Sequence, residues 1–344
     1  MGWKILLPQE LKKDARDLLE SHGHTLIDGR GFETEDVIAD MKEHKPDAII
    51  VRITKMPRAV FEAAAPNLKV LVRHGAGYDA VDLKAAADYG VKCLYAPVAN
   101  STSVAETALM LMLYMSRNVT RLRDMLTVDF YDAKLKTYMT TLNGKTVGLI
   151  GCGNIGSRTA KRCLAMEMNV LCYDPYKPAC DFPEGVEVVR DIERIFRESD
   201  YVSLHTPNTS VTRNMINKET LSMMKPTAFL INTARGAVVN EQDLYEACKN
   251  HVIAGAALDA VVHEPILPDM PLITLDNVLI TPHVGGNTVE AAMRASYMAA
   301  MGIVEMYEGK EPTWPIPDID YETAPVYTDT IKPDRKPVGM YDYY

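Results

Sequence analysis

Short apolar runs alternate with stretches of helical period along almost the whole chain. In the first third, the runs 4–7, 48–52, 70–73 and 92–94 read as strands, and 12–21 and 83–89 as helices between them. The runs are continuous rather than strictly alternating, which predicts strands covered on both faces, as in a parallel sheet. A second series opens after Leu142-Asn143-Gly144, with strands predicted at 146–150, 169–173, 201–204, 228–232, 254–258 and 278–281. Two such series predict two doubly wound α/β domains. The helical stretch 101–121 is the expected first crossing between them, and the helical pattern at 288–308 is expected to return to the first domain. The expected boundaries are 1–100 with 287–310 for one domain and 101–286 for the other. Residues 311–344 are rich in Pro and Tyr and lack a helical period, so they are expected either as an arm on a partner subunit or as a poorly ordered tail.

Composition narrows the classes. The 344 residues are 47% hydrophobic and 24% charged, an ordinary globular balance, and the formal net charge of -9 speaks against a nucleic-acid partner. None of the six cysteines forms a CxxC pair or a Cys/His cluster of zinc-like spacing, so no metal is expected and reduced thiols in a cytoplasmic protein are the simplest reading. The N-terminal residues run straight into strand-like sequence without a signal-peptide pattern. The most apolar run, 104–115, contains Glu106 and is too short to span a bilayer, so it reads as a buried helix and no membrane partner is expected.

Candidate chemistry begins at Gly151-Cys152-Gly153-Asn154-Ile155-Gly156. A GxGxxG alone is a weak signal, but this one follows a predicted strand and opens a predicted helix, the context a dinucleotide-binding turn needs. Gly151 permits the tight turn, Gly153 lets a pyrophosphate approach the backbone, and Gly156 lets helix and strand pack closely. The amides at the helix start then face negative charge. The next strand ends at Asp174, where a carboxylate accepts bonds from ribose hydroxyls and repels a 2′-phosphate. The expected cofactor is therefore NAD(H) rather than NADP(H). The bland alternative is a surface Asp opening the Asp174-Pro175 turn.

Three more segments follow later strands: Asn232-Thr233-Ala234-Arg235-Gly236, Asp259-Ala260-Val261-Val262-His263-Glu264-Pro265 and Thr281-Pro282-His283-Val284-Gly285-Gly286. With these motifs the chain, from its first strand to about residue 308, resembles the D-isomer-specific 2-hydroxyacid dehydrogenases. That family includes phosphoglycerate, glyoxylate/hydroxypyruvate and D-lactate dehydrogenases. The resemblance implies a Rossmann NAD-binding domain inserted in a flavodoxin-like substrate domain, a D-2-hydroxy acid or its 2-keto acid as substrate, and a homodimer through the 104–121 region. It implies His283 as the general acid, Glu264 as the carboxylate that favours its protonated form, and Arg235 as the fork on the substrate carboxylate. Those residue types suit the chemistry, because carbonyl reduction needs a proton donor with a pKa near neutrality and an anchor for the carboxylate. Singly, each has a plain structural alternative: an ion pair, a turn, a cap.

The resemblance also implies cofactor contacts at Asn154, Ile155, Thr206, Pro207, Thr233, Ala234, Asp259, Gly285 and Gly286. His205 is expected near the adenine side, and His263 is expected to be an exposed bystander. In the first domain, the loop Arg73-His74-Gly75-Ala76-Gly77-Tyr78-Asp79 resembles the family's substrate loop, which implies that Ala76 and Gly77 offer amides to the carboxylate. The alternative is a simple tight turn, but the loop's place after a first-domain strand favours function. Arg52, in a family-like Arg-x-x-Thr-Lys segment with Lys55, is a candidate for a second anionic group or an ordinary surface cation. Asn100-Ser101 resembles another cleft-lining segment.

Departures from the family pattern are Ala237 after Gly236, Val261 in place of a frequent aromatic, and the bulk of Tyr78. They leave the substrate side chain open. Regulation through an appended domain, as in some phosphoglycerate dehydrogenases, is not expected. Two readings compete with catalysis: an NAD-sensing, corepressor-like protein on the same fold, and another nucleotide binder that merely shares GxGxxG.

Overall fold

The computed structural model describes residues 2–319 and 321–330. It divides into two compact units, one formed by the chain up to Ser101 with Gly286–Asp318, the other by Thr102–Gly285 with the chain from Ile319 onward.

The first unit holds β1 (Lys4–Leu7), β2 (Thr25–Asp28), β3 (Ala48–Val51), β4 (Val70–Arg73) and β5 (Lys92–Tyr95), in the order β2-β1-β3-β4-β5. All its pairings are parallel, and the order is the flavodoxin-like one. Period-2 geometry splits each apolar run between two cores. Leu6, Ile49, Val51 and Leu71 pack with Phe61 and Met41 on one face. Ile5, Leu7, Ala48, Ile50, Val70 and Val72 pack on the other with Ala299, Ala300 and Ile303. Both faces are buried, so the runs read as continuous. Each Leu, Ile or Val among them contributes about 1.5–3 kcal/mol of burial. Ala299, Ala300 and Ile303 belong to the helix Val289–Tyr307, which therefore completes the first unit's core.

The second unit holds β6 (Thr146–Ile150), β7 (Asn169–Tyr173), β8 (Glu187–Val189), β9 (Tyr201–Leu204), β10 (Phe229–Asn232), β11 (Gly255–Leu258) and β12 (Val278–Ile280). The sheet order is β12-β11-β10-β9-β6-β7-β8. Successive strands β6 to β8 run one way from the middle and β9 to β12 the other, the dinucleotide-binding arrangement with its switch point between β6 and β9. One face carries Ile150, Val202, Leu204, Leu230 and Leu258, the other Val147, Leu149, Val170, Ile231 and Ala257.

Three features differ from the sequence reading. β2 and β8 go unpredicted because both are edge strands, short and partly exposed. The helical stretch expected over 101–121 breaks after Ser101–Arg117, where Asn118 adopts a left-handed conformation (φ 45°) and caps a new helix, Val119–Met125. The described residues of the 311–344 segment lie on their own chain. Trp314 and Ile316 bond Tyr95 and Cys93 at the β5 edge, and Tyr321, Tyr327 and Asp329 lie against residues 175–190 of the second unit. Residues 331–344 fall outside the described chain. Among the described residues no helix is long and apolar enough to cross a membrane, and all six cysteines are free.

Candidate active site

The candidate residues of the second unit gather at the carboxyl ends of its strands, where open α/β sheets bind ligands. Gly151 follows β6 with φ 92°, a conformation natural to glycine, and its N–H donates to Tyr173 O at 2.8 Å. A Cβ on Gly156 would lie 2.1 Å from the Gly151 carbonyl, so only glycine lets the helix Asn154–Ala165 start this close to β6. A Cβ on Gly153 would meet nothing within 4 Å, so the turn is open on the side expected to meet a pyrophosphate. Asn154 is exposed and Ile155 half-buried at the first turn.

Asp174 follows β7. Its carboxylate is fixed by N–H donors from Cys152 (2.9 Å) and Tyr176 (3.1 Å). Each oxygen keeps a further lone pair, which suits ribose hydroxyls. After β9 and β10, Thr206 Oγ1 and Thr233 Oγ1 are buried without a hydrogen-bond partner among the described residues. Orphaned hydroxyls at two neighbouring strand ends mark where a polar ligand belongs. Pro207 is exposed beside them and Ala234 is buried. The glycine turn, fixed carboxylate and orphaned hydroxyls fit a nicotinamide dinucleotide. The His205 ring bonds Ser203 Oγ through Nε2 at 3.0 Å, and burial pushes its pKa down to about 3. It is neutral, and its backbone packs under Gly151.

The chemistry-bearing trio comes from the next three strand ends. Glu264 sits with both carboxylate oxygens 2.9 Å from His283 Nδ1. Nδ1–H therefore donates to Glu264, leaving Nε2 as the nitrogen able to exchange a proton with a ligand. The bond and charge of Glu264 hold the His283 pKa above 6.5, against the opposing effect of burial. Burial alone would raise Glu264, but the bond and charge of His283 bring it below 4.5. Arg235 follows β10, and its charge acts on both partners. Its Nη1 donates to Ala234 O at 2.8 Å. His263 is exposed and outside this set.

Two buried side chains that sequence reasoning missed, or saw differently, hold the trio in place. Asn232 is fully buried: Oδ1 accepts the Ala234 N–H at 3.0 Å, and Nδ2 donates to Arg235 O (3.0 Å) and Ala260 O (3.3 Å). It ties the Arg235 loop to the Glu264 loop. Asp259, expected at the cofactor, is 3% exposed and grips the histidine loop. It accepts Thr281 Oγ1 (2.6 Å), Val284 N (3.1 Å) and Gly285 N (2.9 Å). These bonds hold His283 at φ 52°, a conformation unusual for a side-chain-bearing residue. The only sequence signal for either was a polar residue closing an apolar strand.

In the first unit, Arg73 clamps the loop after β4, with Nε on Gly77 O (2.8 Å) and Nη1 on Val51 O (3.2 Å). The N–H groups of Ala76 and Gly77 make no hydrogen bond to another described residue, so they remain available to an anion. His74 Nε2 meets Ser296 Oγ at 2.9 Å, and burial pushes this histidine to about 4. Tyr78 packs edge-on against Tyr95 at 5.7 Å. Arg52 is exposed and donates to Asn287 Oδ1, whereas Thr54 is buried and ties Gln9 to Phe32. Gly286 belongs to this unit, close against Asn100, whose Oδ1 is buried and unpartnered among the described residues.

Residues 109–285 match the family model for the D-isomer specific 2-hydroxyacid dehydrogenase, NAD binding domain. The chain belongs to this family. It is 40% identical over 310 residues to the D-3-phosphoglycerate dehydrogenase of Methanocaldococcus jannaschii, a match covering 89% of this chain and 58% of that relative's length. It is 38% identical over 295 residues to the hydroxypyruvate reductase of Thermotoga maritima, covering 85% of this chain and 94% of the relative. A glyoxylate reductase structure from Paecilomyes thermophila superposes with a TM-score of 0.82 at 26% identity, covering 92% of this chain and 99% of that one. Strand-end placement thus has a family context: the second unit's sheet is an NAD-binding one, and the glycine turn, Asp174 and the trio all stand at its carboxyl edge.

Proposed function

We propose that this chain interconverts a D-2-hydroxy acid and its 2-keto acid with NAD(H). The observation that carries this reading is the His283–Glu264 pair, with Arg235 acting on both, at the carboxyl edge of a dinucleotide-binding sheet. A nicotinamide dinucleotide held by the glycine turn and Asp174 would supply the hydride chemistry. The protein's own groups do the rest. Arg235 binds the substrate carboxylate through its forked donors. His283, protonated at Nε2, gives its proton to the carbonyl oxygen in reduction and receives one from the hydroxyl in oxidation. Glu264 holds the ring by Nδ1 and stabilises the imidazolium. Asp174 accepts the ribose hydroxyls and disfavours a 2′-phosphate. In the same reading the first unit is the substrate domain, and the N–H groups of Ala76 and Gly77 are available to an anionic group.

Relatives named for phosphoglycerate, hydroxypyruvate and glyoxylate support a small 2-keto acid, with or without a second anionic group for Arg52. The corepressor-like alternative draws no support from them. A homodimer through the 104–121 region fits exposed Met110 and Val119 there, and the exposed apolar side chains Leu126, Val128, Phe130 and Tyr131 extend that surface beyond the expected range. Light scattering checks this, and a monomer would contradict it. Six free thiols agree with a cytoplasmic setting.

Following NADH oxidation tests the main proposal, with glyoxylate, hydroxypyruvate, pyruvate, branched 2-keto acids and phosphohydroxypyruvate offered in turn. Turnover with at least one is expected. Tight NADH binding with no turnover on any would overturn the catalytic reading.

A further inference from the structure

Arg190 follows directly on β8, beside β7, the strand that Asp174 follows. Its side chain is only 13% exposed. Nη1 donates to the Asp174 carbonyl at 2.5 Å and Nη2 to the Lys177 carbonyl at 2.9 Å. A guanidinium within one hydrogen bond of the ribose-binding acid is the group that ordinarily accommodates a 2′-phosphate. Here its charge is already engaged. Asp329, from the segment after the helix Val289–Tyr307, accepts Nε through its backbone carbonyl at 2.9 Å and pairs its Oδ1 with Nη2 at 3.4 Å. Its Oδ2 accepts the Ala179 N–H at 2.9 Å.

The rest of the segment holds this carboxylate in place. Tyr327 N–H donates to Pro175 O at 2.8 Å. The Tyr176 hydroxyl donates to Tyr321 O at 2.9 Å, with the two rings edge-on at 5.2 Å. The segment therefore binds both residues that follow Asp174 in the chain, and its carboxylate pairs with Arg190, which donates to the Asp174 carbonyl.

We propose that Asp329 is a specificity-determining residue: by pairing with Arg190 it withholds that guanidinium from a 2′-phosphate and sharpens the preference for NAD(H) over NADP(H). The inference rests on the NAD(H) reading above and goes beyond it. Two groups divide the discrimination, with Asp174 repelling the 2′-phosphate and Asp329 removing its natural anchor. An almost covered guanidinium that loses its counter-ion needs another anion, and a 2′-phosphate is an anion of the right chemistry.

The test is calorimetric binding of NADH and of NADPH to the full-length wild type, Asp329→Asn, Asp329→Ala and the double variant Arg190→Ala/Asp329→Ala. Asp329→Asn keeps the size and one acceptor for Ala179, so it separates charge from folding. The wild type is expected to bind NADH more tightly. Both single variants should bind NADPH roughly tenfold more tightly than the wild type, the worth of about one charge-assisted hydrogen bond, with NADH affinity within about twofold. The double variant should lose that gain. A wild-type preference for NADH with no NADPH gain in either single variant overturns the inference alone. Equal weakening of both dinucleotides does so too, because it marks the segment as a structural strap, as does a gain that persists without Arg190. A wild type that prefers NADPH overturns the NAD(H) reading beneath it.

Discussion

Glu264 holds His283 by one nitrogen, with both carboxylate oxygens 2.9 Å from Nδ1. This contact raises the histidine pKa and lowers that of the glutamate. The raised histidine contributes stability that is fully present below 6.5, its ordinary value, and lost as pH rises through its higher folded value. The lowered glutamate contributes stability present above 4.5, its ordinary value, and lost as pH falls through its lower folded value. The charged pair is therefore complete between those two ordinary values and persists somewhat beyond both. Reduction of a 2-keto acid needs the protonated ring, so turnover is expected to fall as pH rises through the raised pKa. Glu264→Gln removes the charge that raises it. The alkaline limb of the pH–rate profile should then move to lower pH, and an unmoved limb would separate the pair from catalysis.

Arg235 is the member of the trio whose positive charge does not depend on pH. Lysine keeps the charge but loses the planar fork. Arg235→Lys should lower kcat/KM for the 2-keto acid by roughly 10- to 100-fold, about the worth of a charge-assisted fork, while leaving NADH binding nearly unchanged. Steady-state kinetics with a calorimetric check on NADH measures both. A parallel loss of NADH affinity would place Arg235 at the cofactor instead of the substrate.

Asp259 accepts three donors from the histidine loop while almost fully buried. Asp259→Asn leaves one acceptor oxygen and turns an NH2 towards those donors. We expect a loss of about 1–3 kcal/mol in stability, read as a lower melting temperature, and a fall in kcat from a loosened His283. An unchanged melting temperature would show that the loop is held by something else.

Much of the architecture was legible because burial on both faces writes itself as continuous apolar runs. β3 and β11 are buried along their whole length, and both were predicted to within a residue at each end. β2, with its pattern Thr25-Leu26-Ile27-Asp28, was not legible because an edge strand shows only half of that signal. The trio was legible as residue types at strand ends. What holds it was not: Asn232 bridges to Ala260, and Asp259 to Gly285, through contacts between segments far apart in sequence. The same is true of Asp329 and Arg190, which are 139 residues apart. The break at Asn118 was missed because a single left-handed residue leaves the helical period on either side intact.

The most direct test of the account is hydride transfer from NADH to a keto acid that the wild type turns over, compared among wild type, His283→Ala and His263→Ala. In the proposed function His283 carries the proton, whereas His263, next to Glu264 in the chain, lies outside the trio. The account predicts that His283→Ala loses about 10²–10⁴-fold in kcat while His263→Ala stays close to wild type. Equal small losses in both variants would contradict it.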